Sequence, residues 1–216
     1  ESVADLDTLH RLDAHERLGQ EPGLRVVLLH GEGPSFCSGL DFASVMADGG
    51  GPWSQLERPG SSPPNRFQRA AYDWISLPVP VIAAVHGACF GGGLQIALAA
   101  DVRFATADAR LSVMEIKYGL VPDMSITRTL PRLVGVDVAK ELTYTGRVIS
   151  GAQAADLGLV THVSEDPLAA ARELATEIAA RSPEAVRGAH RLLGEARNVA
   201  SAERALALEE ELQLGL

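Results

Sequence analysis

The chain has 216 residues, of which 46% are hydrophobic and 22% charged, and its formal net charge is −9. This composition is that of an ordinary globular domain, so it excludes disorder as the main state, as well as collagen-like and coiled-coil classes. An acidic surface repels phosphate backbones and anionic lipid, which argues against nucleic-acid and membrane partners. Two cysteines, Cys37 and Cys89, are too few for a disulfide framework and lack a metal-binding spacing. We therefore expect a cytoplasmic protein.

The first part of the chain alternates predicted helices and strands. Residues 5–19 carry leucines at helical spacing among charges, which predicts an amphipathic helix. Two apolar, β-branched runs, at residues 24–29 and 79–85, predict buried strands. The other predicted elements are a loop at 31–39, helices at 40–47, 66–76 and 93–100, and short strands at 102–105 and 111–113.

A long stretch rich in small and turn-forming residues separates the first two strands. Of the seventeen residues from 48 to 64, eleven are Gly, Pro or Ser, which predicts a loop. A loop of this length in a compact domain is more often functional than idle. We interpret it as a lid over a ligand, with a tolerated surface insertion as the alternative.

Helices dominate the last third of the chain. Residues 124–143 predict a helix that breaks at Gly135, and residues 159–163 predict a strand. Helix boundaries are indicated by a capping box of Ser150 with Gln153, a C-terminal Gly158, Asp166-Pro167 before a helix to Arg181, and Ser182-Pro183 before the next. The pattern predicts an α/β region at residues 1–163 followed by a helical region at 164–216. Because the chain begins and ends inside predicted helices, we expect its natural ends to lie beyond both termini.

A glycine-rich segment, GACFGGG at residues 87–93, lies between a predicted strand and a predicted helix. Its glycines allow close approach of another group, and the helix start offers unpaired N–H groups at the positive end of the helix dipole. This arrangement predicts an anion or oxyanion site, or alternatively a tight turn packed on a neighbouring backbone. A phosphate-binding loop would continue with Lys and Ser or Thr, where Leu94 and Gln95 stand. Residues 31–33, GEG, lack the third glycine of a dinucleotide fingerprint.

Two carboxylates are candidates for proton transfer. Glu115 lies between apolar neighbours, which would raise its pKa towards neutrality, and the alternative is a partly exposed strand end. Asp123 lies in a predicted turn and could instead cap a helix that begins at Met124. No G-x-S-x-G motif supports a serine nucleophile, so we interpret Ser38 as a turn residue and His86 as a core histidine. The cysteines are interpreted as small buried hydrophobes.

Several short motifs follow one another along the chain: Ser38-Gly39-Leu40-Asp41, His86-Gly87 with Gly91-Gly92-Gly93, Met114-Glu115-Ile116, Gly119 to Pro122, Thr145-Gly146-Arg147 and residues 154–160. Taken in order, these motifs resemble the crotonase superfamily, which is the enoyl-CoA hydratase and isomerase family. The resemblance covers residues 24–190 and implies a spiral of ββα units with a helical C-terminal region used in trimerisation, with trimers that pair into hexamers. It implies acyl-CoA thioester substrates and no metal or redox cofactor, since coenzyme A is part of the substrate.

The resemblance also implies roles for individual residues. The backbone N–H groups of Leu40 and Gly92 would hold the thioester oxygen, and Glu115 would transfer a proton at the α- or γ-carbon of the substrate. The family's first strand and a CoA-binding turn would precede Glu1. The residues expected along the adenine end of coenzyme A are Ser38, Gly39, Asp41, Phe42 and Ala43.

One residue departs from the family pattern. Hydratases of the family carry a first glutamate two residues after the glycine triplet, where this chain has Gln95. An amide cannot accept and return a proton, so we expect Gln95 to hydrogen-bond a water or the substrate. Asp123 resembles an acidic residue that some dienoyl-CoA isomerases of the family use. Double-bond isomerisation is therefore favoured over hydration, and the alternatives are a 2-enoyl-CoA hydratase or a non-catalytic acyl-CoA-binding protein of the same fold.

Overall fold

The computed structural model describes residues 3–7, 18–39, 64–196 and 201–215 of the chain. The predicted helix at 40–47 and all but the last residue of the 48–64 loop lie outside these ranges. Among the described residues, none of the helices has both the length and the apolar character that crossing a bilayer requires.

A parallel five-stranded sheet forms the centre of the structure. Its order is β1 (Val3–Asp7), β2 (Val26–His30), β3 (Val81–Val85), β5 (Val102–Ala105) and β8 (His162–Val163). The register pairs Val27 with Val81 and Ile82 with Val102. The first four residues of β2 and all of β3 are buried, because the sheet is covered on both faces.

A second, smaller sheet lies beside the glycine-rich segment. It contains β4 (Ala88–Phe90), β6 (Arg110–Ser112) and β7 (Ile149–Ser150), with β4 parallel and β7 antiparallel to β6. The sequence pattern predicts a plain loop where β4 lies. The strand forms there because its backbone pairs with β6 on one side and forms a bridge with Cys37 on the other.

The helices cover both faces of the large sheet. They are α1 (Arg66–Ile75), α2 (Gly92–Ala99), α3 (Ile126–Leu133), α4 (Val136–Thr145), α5 (Gly151–Asp156), α6 (Pro167–Ala179), α7 (Pro183–Ala196) and α8 (Ala202–Leu214), with a 3₁₀ helix at Glu115–Tyr118. One face packs on α6 through Ala171 and Ala175. The other face packs on α1 and α2 and holds the larger apolar cluster, which includes Trp74 and Leu94.

Several predicted helix boundaries are confirmed. In the Ser150–Gln153 capping box, each side chain accepts a hydrogen bond from the backbone N–H of the other residue. Asp166 is the N-cap of α6, which begins at Pro167, and its side chain accepts from the Ala169 N–H. Gly135 separates α3 from α4 as expected. Gly158, with a φ of +86°, follows Leu157, the C-cap residue of α5, and a left-handed residue at that position ends the helix.

Two sequence predictions are wrong. Residues 5–7 of the predicted helix 5–19 belong instead to β1, because their backbone pairs with β2 and occupies the sheet edge. Leucine spacing does not reveal such pairing. Residues 18 and 19 at the other end of the predicted helix are helical. The predicted strand 159–163 is restricted to His162 and Val163, because the N–H groups of residues 159 and 160 both donate to the Ala154 carbonyl oxygen.

Candidate active site

The N-terminus of α2 is the structural centre of the candidate site. Gly91, with a φ of +54°, donates its N–H to the Ser112 carbonyl oxygen at 2.9 Å, and its own carbonyl accepts from the Gln95 N–H at 3.0 Å. The N–H groups of Gly92 and Gly93 lie in the first helical turn, where no intrahelical acceptor exists. They stand at the positive end of the helix dipole, so this end of α2 can stabilise a developing negative charge.

The segment before residue 40 is fixed against this helix terminus. Cys37 donates its N–H to the Ala88 carbonyl oxygen and accepts from the Phe90 N–H, both at 3.0 Å. A Cβ atom placed on Gly93 would lie 2.7 Å from the Cys37 Cβ and 2.9 Å from its Sγ. Any residue larger than glycine at position 93 would therefore push the two chains apart.

The residues that the resemblance assigns to this segment are described only in part. Ser38 is exposed, and Gly39 is half-buried with a φ of +104°. The predicted second oxyanion donor, Leu40, and the predicted CoA-binding residues Asp41, Phe42 and Ala43 lie outside the described residues. Of this segment, the structure therefore describes only the residues up to Gly39 beside the N-terminus of α2.

Glu115 stands beside the same helix terminus. It begins the 3₁₀ helix that follows β6. A Cβ atom placed on Gly91 would lie 3.4 Å from the Glu115 Oε1 and 3.8 Å from its Oε2. The Glu115 carboxylate is therefore adjacent to Gly91, the residue immediately before α2.

Gln95 connects Glu115 to the turn before α3. Its side chain is only 1% exposed. Its Nε2 donates to the Glu115 Oε1 at 2.6 Å, and its Oε1 accepts from the Met124 N–H at 2.8 Å. The orientation of the amide is fixed, because a peptide N–H can only donate and must face the amide oxygen. These two bonds use one N–H of the amide and one lone pair of its oxygen, so the expectation that Gln95 also bonds a water or the substrate stays a prediction.

The second carboxylate oxygen of Glu115 is left for another partner. Oε2 is buried and has no hydrogen-bond partner within the described ranges. Burial raises the pKa of Glu115, and the negative charge of Asp123 raises it further, against the opposing hydrogen bonds from the Glu115 backbone and from Gln95. A buried carboxylate oxygen without a donor is costly unless a ligand supplies a proton to it.

Asp123 lies close enough to affect Glu115 but does not cap a helix. α3 begins at Ile126, the preceding Ser125 makes no side-chain capping bond, and Asp123 itself is exposed. The capping alternative is therefore wrong. Partial burial raises the pKa of Asp123, while a hydrogen bond from its own backbone N–H opposes that rise.

The geometry gives no support to a serine nucleophile activated by His86, and it agrees with the interpretation of the cysteines as hydrophobic side chains. His86 Nε2 is hydrogen-bonded to the Gly33 carbonyl oxygen at 3.0 Å, and His86 is half-buried rather than the core histidine that the sequence predicts. Cys89 is completely buried, and burial raises the pKa of its thiol, so it is a poor nucleophile. Cys37 is partly buried and packs against the main core.

Sequence reasoning missed one residue of the site, Met124. A Cβ atom placed on Gly92 would lie 2.9 Å from the Met124 Sδ, so the thioether contacts the start of α2. No sequence signal indicates this contact, because it depends on the unusual backbone of the turn at residues 123–125.

Comparison with known proteins identifies the family. The family model described as Enoyl-CoA hydratase/isomerase matches residues 7–214. The chain belongs to the enoyl-CoA hydratase/isomerase family. The crystal structure of an enoyl-CoA hydratase from Bacillus anthracis superposes with a TM-score of 0.86 at 32% identity, over 99% of this chain and 86% of that one. The crotonase-type α/β fold is therefore confirmed.

The curated relatives of this family member include both hydratases and isomerases. A probable enoyl-CoA hydratase of Bacillus subtilis is 38% identical over 76% of this chain and 62% of its own length. The peroxisomal Delta(3,5)-Delta(2,4)-dienoyl-CoA isomerase of Arabidopsis thaliana is 38% identical over 84% of this chain and 68% of its own length. The chain thus spans about two thirds or less of the length of these relatives, and their names do not distinguish the two reactions for it.

Proposed function

We propose that this family member shifts a carbon–carbon double bond in an enoyl-CoA or dienoyl-CoA thioester, with Glu115 as the proton carrier. The observation that carries the proposal is the Glu115 carboxylate itself. Its Oε1 is held by Gln95, and its Oε2, beside the N-terminus of α2, is buried and has no hydrogen-bond partner among the residues that the structure describes. One oxygen is thus fixed and the other is available to a substrate proton.

The chemistry follows from this arrangement. Glu115 Oε2 removes a proton from the α-carbon of a 3-enoyl thioester, and the electron pair moves onto the thioester oxygen as a dienolate. The Gly92 N–H, with Leu40 N–H as the second donor, stabilises that oxygen, and one such donor is worth about 3 kcal/mol in other oxyanion holes. Glu115 then returns the proton to the γ-carbon, which gives the conjugated 2-enoyl ester. No electron leaves the substrate, so the proposed reaction needs no metal or redox cofactor.

Gln95 is the reason for favouring isomerisation. Hydration of a 2-enoyl thioester is served by two carboxyl groups, one to activate water and one to protonate the α-carbon, whereas a single base can move a proton between two carbons. The Gln95 amide cannot take a proton at neutral pH. Hydration is the second candidate, because the similar proteins include a probable enoyl-CoA hydratase of Bacillus subtilis.

The remaining parts of the proposal rest on the resemblance. Ser38, Gly39, Asp41, Phe42 and Ala43 would lie along the adenine end of coenzyme A, and the helical C-terminal region would form a homotrimer or a hexamer. The division at residue 163 and a cytoplasmic location stay predictions of the sequence.

The test uses the absorbance of the conjugated thioester. The full-length protein is mixed with a 3-enoyl-CoA and, separately, with a 2-enoyl-CoA. A rise with the 3-enoyl ester that Glu115→Gln abolishes supports the proposal. A fall with the 2-enoyl ester and no change with the 3-enoyl ester would establish hydration instead. No change with either ester, together with calorimetric binding of both, would make the protein a non-catalytic acyl-CoA binder.

A further inference from the structure

The side chain of Met124 lies over the open end of helix α2. A Cβ atom placed on Gly92 would be 2.9 Å from the Met124 Sδ and 3.5 Å from its Cε. In a helix the Cα–Cβ bond tilts towards the N-terminus, so the thioether stands at the end of α2 where the unpaired N–H groups lie. Glu115 occupies the corresponding place at the preceding residue, Gly91, at 3.4 Å from a Cβ placed there.

The backbone around Met124 is held on both sides. The Met124 N–H donates to the buried Gln95 amide oxygen at 2.8 Å. The next residue, Ser125, has a φ of +66° and is the only residue other than glycine with a positive φ among those described. This left-handed conformation costs about 1 kcal/mol, and it is stabilised by the bond from Arg128 N–H to the Ser125 carbonyl at 2.8 Å and by the Ser125 hydroxyl, which donates to the Gln68 carbonyl at 3.3 Å.

These contacts define where the Met124 side chain lies relative to the acyl group of a bound substrate. Its side chain is half-buried and packs against the main apolar core, so it fills space rather than projecting into solvent. If the thioester oxygen accepts from the Gly92 N–H, as the proposed function requires, the first acyl carbons pass within reach of both the thioether and the Glu115 carboxylate. The methionine side chain is unbranched and polarisable, so it can pack closely against these carbons.

We propose that Met124 determines specificity at the α-carbon of the acyl group. Its thioether packs against the unsubstituted α-carbon and leaves no room for an α-methyl branch. The substrate class is therefore straight-chain acyl-CoA esters without an α-substituent. This inference rests on the proposed acyl-CoA site, but not on which reaction the site performs.

The experiment measures binding rather than turnover, with two saturated esters that differ by one methyl group. Calorimetry gives the dissociation constants of butanoyl-CoA and 2-methylbutanoyl-CoA for the wild type, Met124→Ala and the matched control Met124→Leu. A methyl group in an apolar pocket is worth about 10- to 200-fold in discrimination. We expect the wild type to favour butanoyl-CoA by at least about 10-fold, Met124→Ala to lose most of that preference, and Met124→Leu, which conserves volume, to keep it.

The outcomes separate this inference from the function on which it rests. If the wild type binds neither ester, the acyl-CoA site itself is refuted. If both esters bind and Met124→Ala keeps the wild-type ratio, the role of Met124 is refuted while the site stands. The affinity of Met124→Ala for butanoyl-CoA shows in the same titration that the variant has folded.

Discussion

The contact between Gln95 and Glu115 predicts an unusual outcome for Gln95→Glu. The substitution places a second carboxylate where the amide now lies 2.6 Å from the Glu115 Oε1. Two unit charges at that distance repel by about 6 kcal/mol at an effective dielectric constant of about 20. Both groups therefore cannot be ionised together, and the pair holds one proton across the neutral range, titrating in two separate steps.

The position of that proton follows from the surrounding donors. The Met124 N–H, now 2.8 Å from the Gln95 oxygen, would stabilise charge on the introduced carboxylate. The shared proton is then drawn towards Glu115, which loses its function as a base. We expect isomerisation at neutral pH to fall by at least about 100-fold, the contribution of a general base, and to recover as the pH is raised.

The assay follows the conjugated-thioester absorbance of Gln95→Glu and wild type with a 3-enoyl-CoA across the pH range. A parallel run with a 2-enoyl-CoA asks whether the acid–base pair now supports hydration. Gln95→Met serves as the control, because it removes the amide without adding a charge and should not give two titration steps. A Gln95→Glu profile that superposes on the wild-type profile would refute the reasoning, since it would mean that the amide does not contact Glu115.

Two further variants test the same site. Glu115→Gln should lower the rate by at least about 100-fold while calorimetric CoA-ester binding persists, and retention of the wild-type rate would remove Glu115 from the mechanism. Burial raises the pKa of Glu115 in the folded state, so the Glu115 carboxyl contributes fully to stability below its unfolded-state pKa and loses that contribution as pH rises through its folded-state pKa. Denaturant titration should therefore show that Glu115→Gln is more stable than wild type only at the higher pH. Gly93→Ala should displace the Cys37 segment and weaken CoA-ester binding at a cost of about 1–3 kcal/mol in stability. Its control, Gly188→Ala in α7, where a Cβ meets nothing within 4 Å, should instead stabilise the fold by about 0.5–1 kcal/mol with binding unchanged; equal behaviour of the two glycine variants would contradict the close approach at position 93.

The sequence predicts most of the central sheet because its signals there are local. The runs at 24–29 and 79–85 are apolar throughout, and a strand buried on both faces has that composition. β1 could not be predicted, because its last residues begin a segment, residues 5–19, that has leucines at helical spacing. They form a strand only through pairing with β2. β4 was hidden for a similar reason, because its three residues lie among glycines and pair with β6 and Cys37.

In the candidate site, too, some residues are predictable from the sequence and others are not. Gly92 and Glu115 are predictable, because a glycine triplet before a helix and a carboxylate among apolar residues each carry a chemical reason. The bond between Gln95 and Glu115 joins residues 20 positions apart, and only the fold brings the two side chains together. Met124 was missed because its position depends on the left-handed backbone of Ser125, for which the sequence has no glycine or asparagine as a signal.

The docking of the segment before residue 40 on β4 has a consequence for how the chain can change in length. His86 bonds to the Gly33 carbonyl and the Ala88 N–H to the Ser35 hydroxyl, each across 53 positions of sequence. Doubling the number of residues in such a closed stretch costs only about 0.6 kcal/mol in chain entropy. A single hydrogen bond contributes about 1 kcal/mol, so the docked segment outweighs that cost. Insertions and deletions between residues 40 and 63 are therefore energetically cheap, and related chains can diversify there while the N-terminus of α2 keeps its geometry.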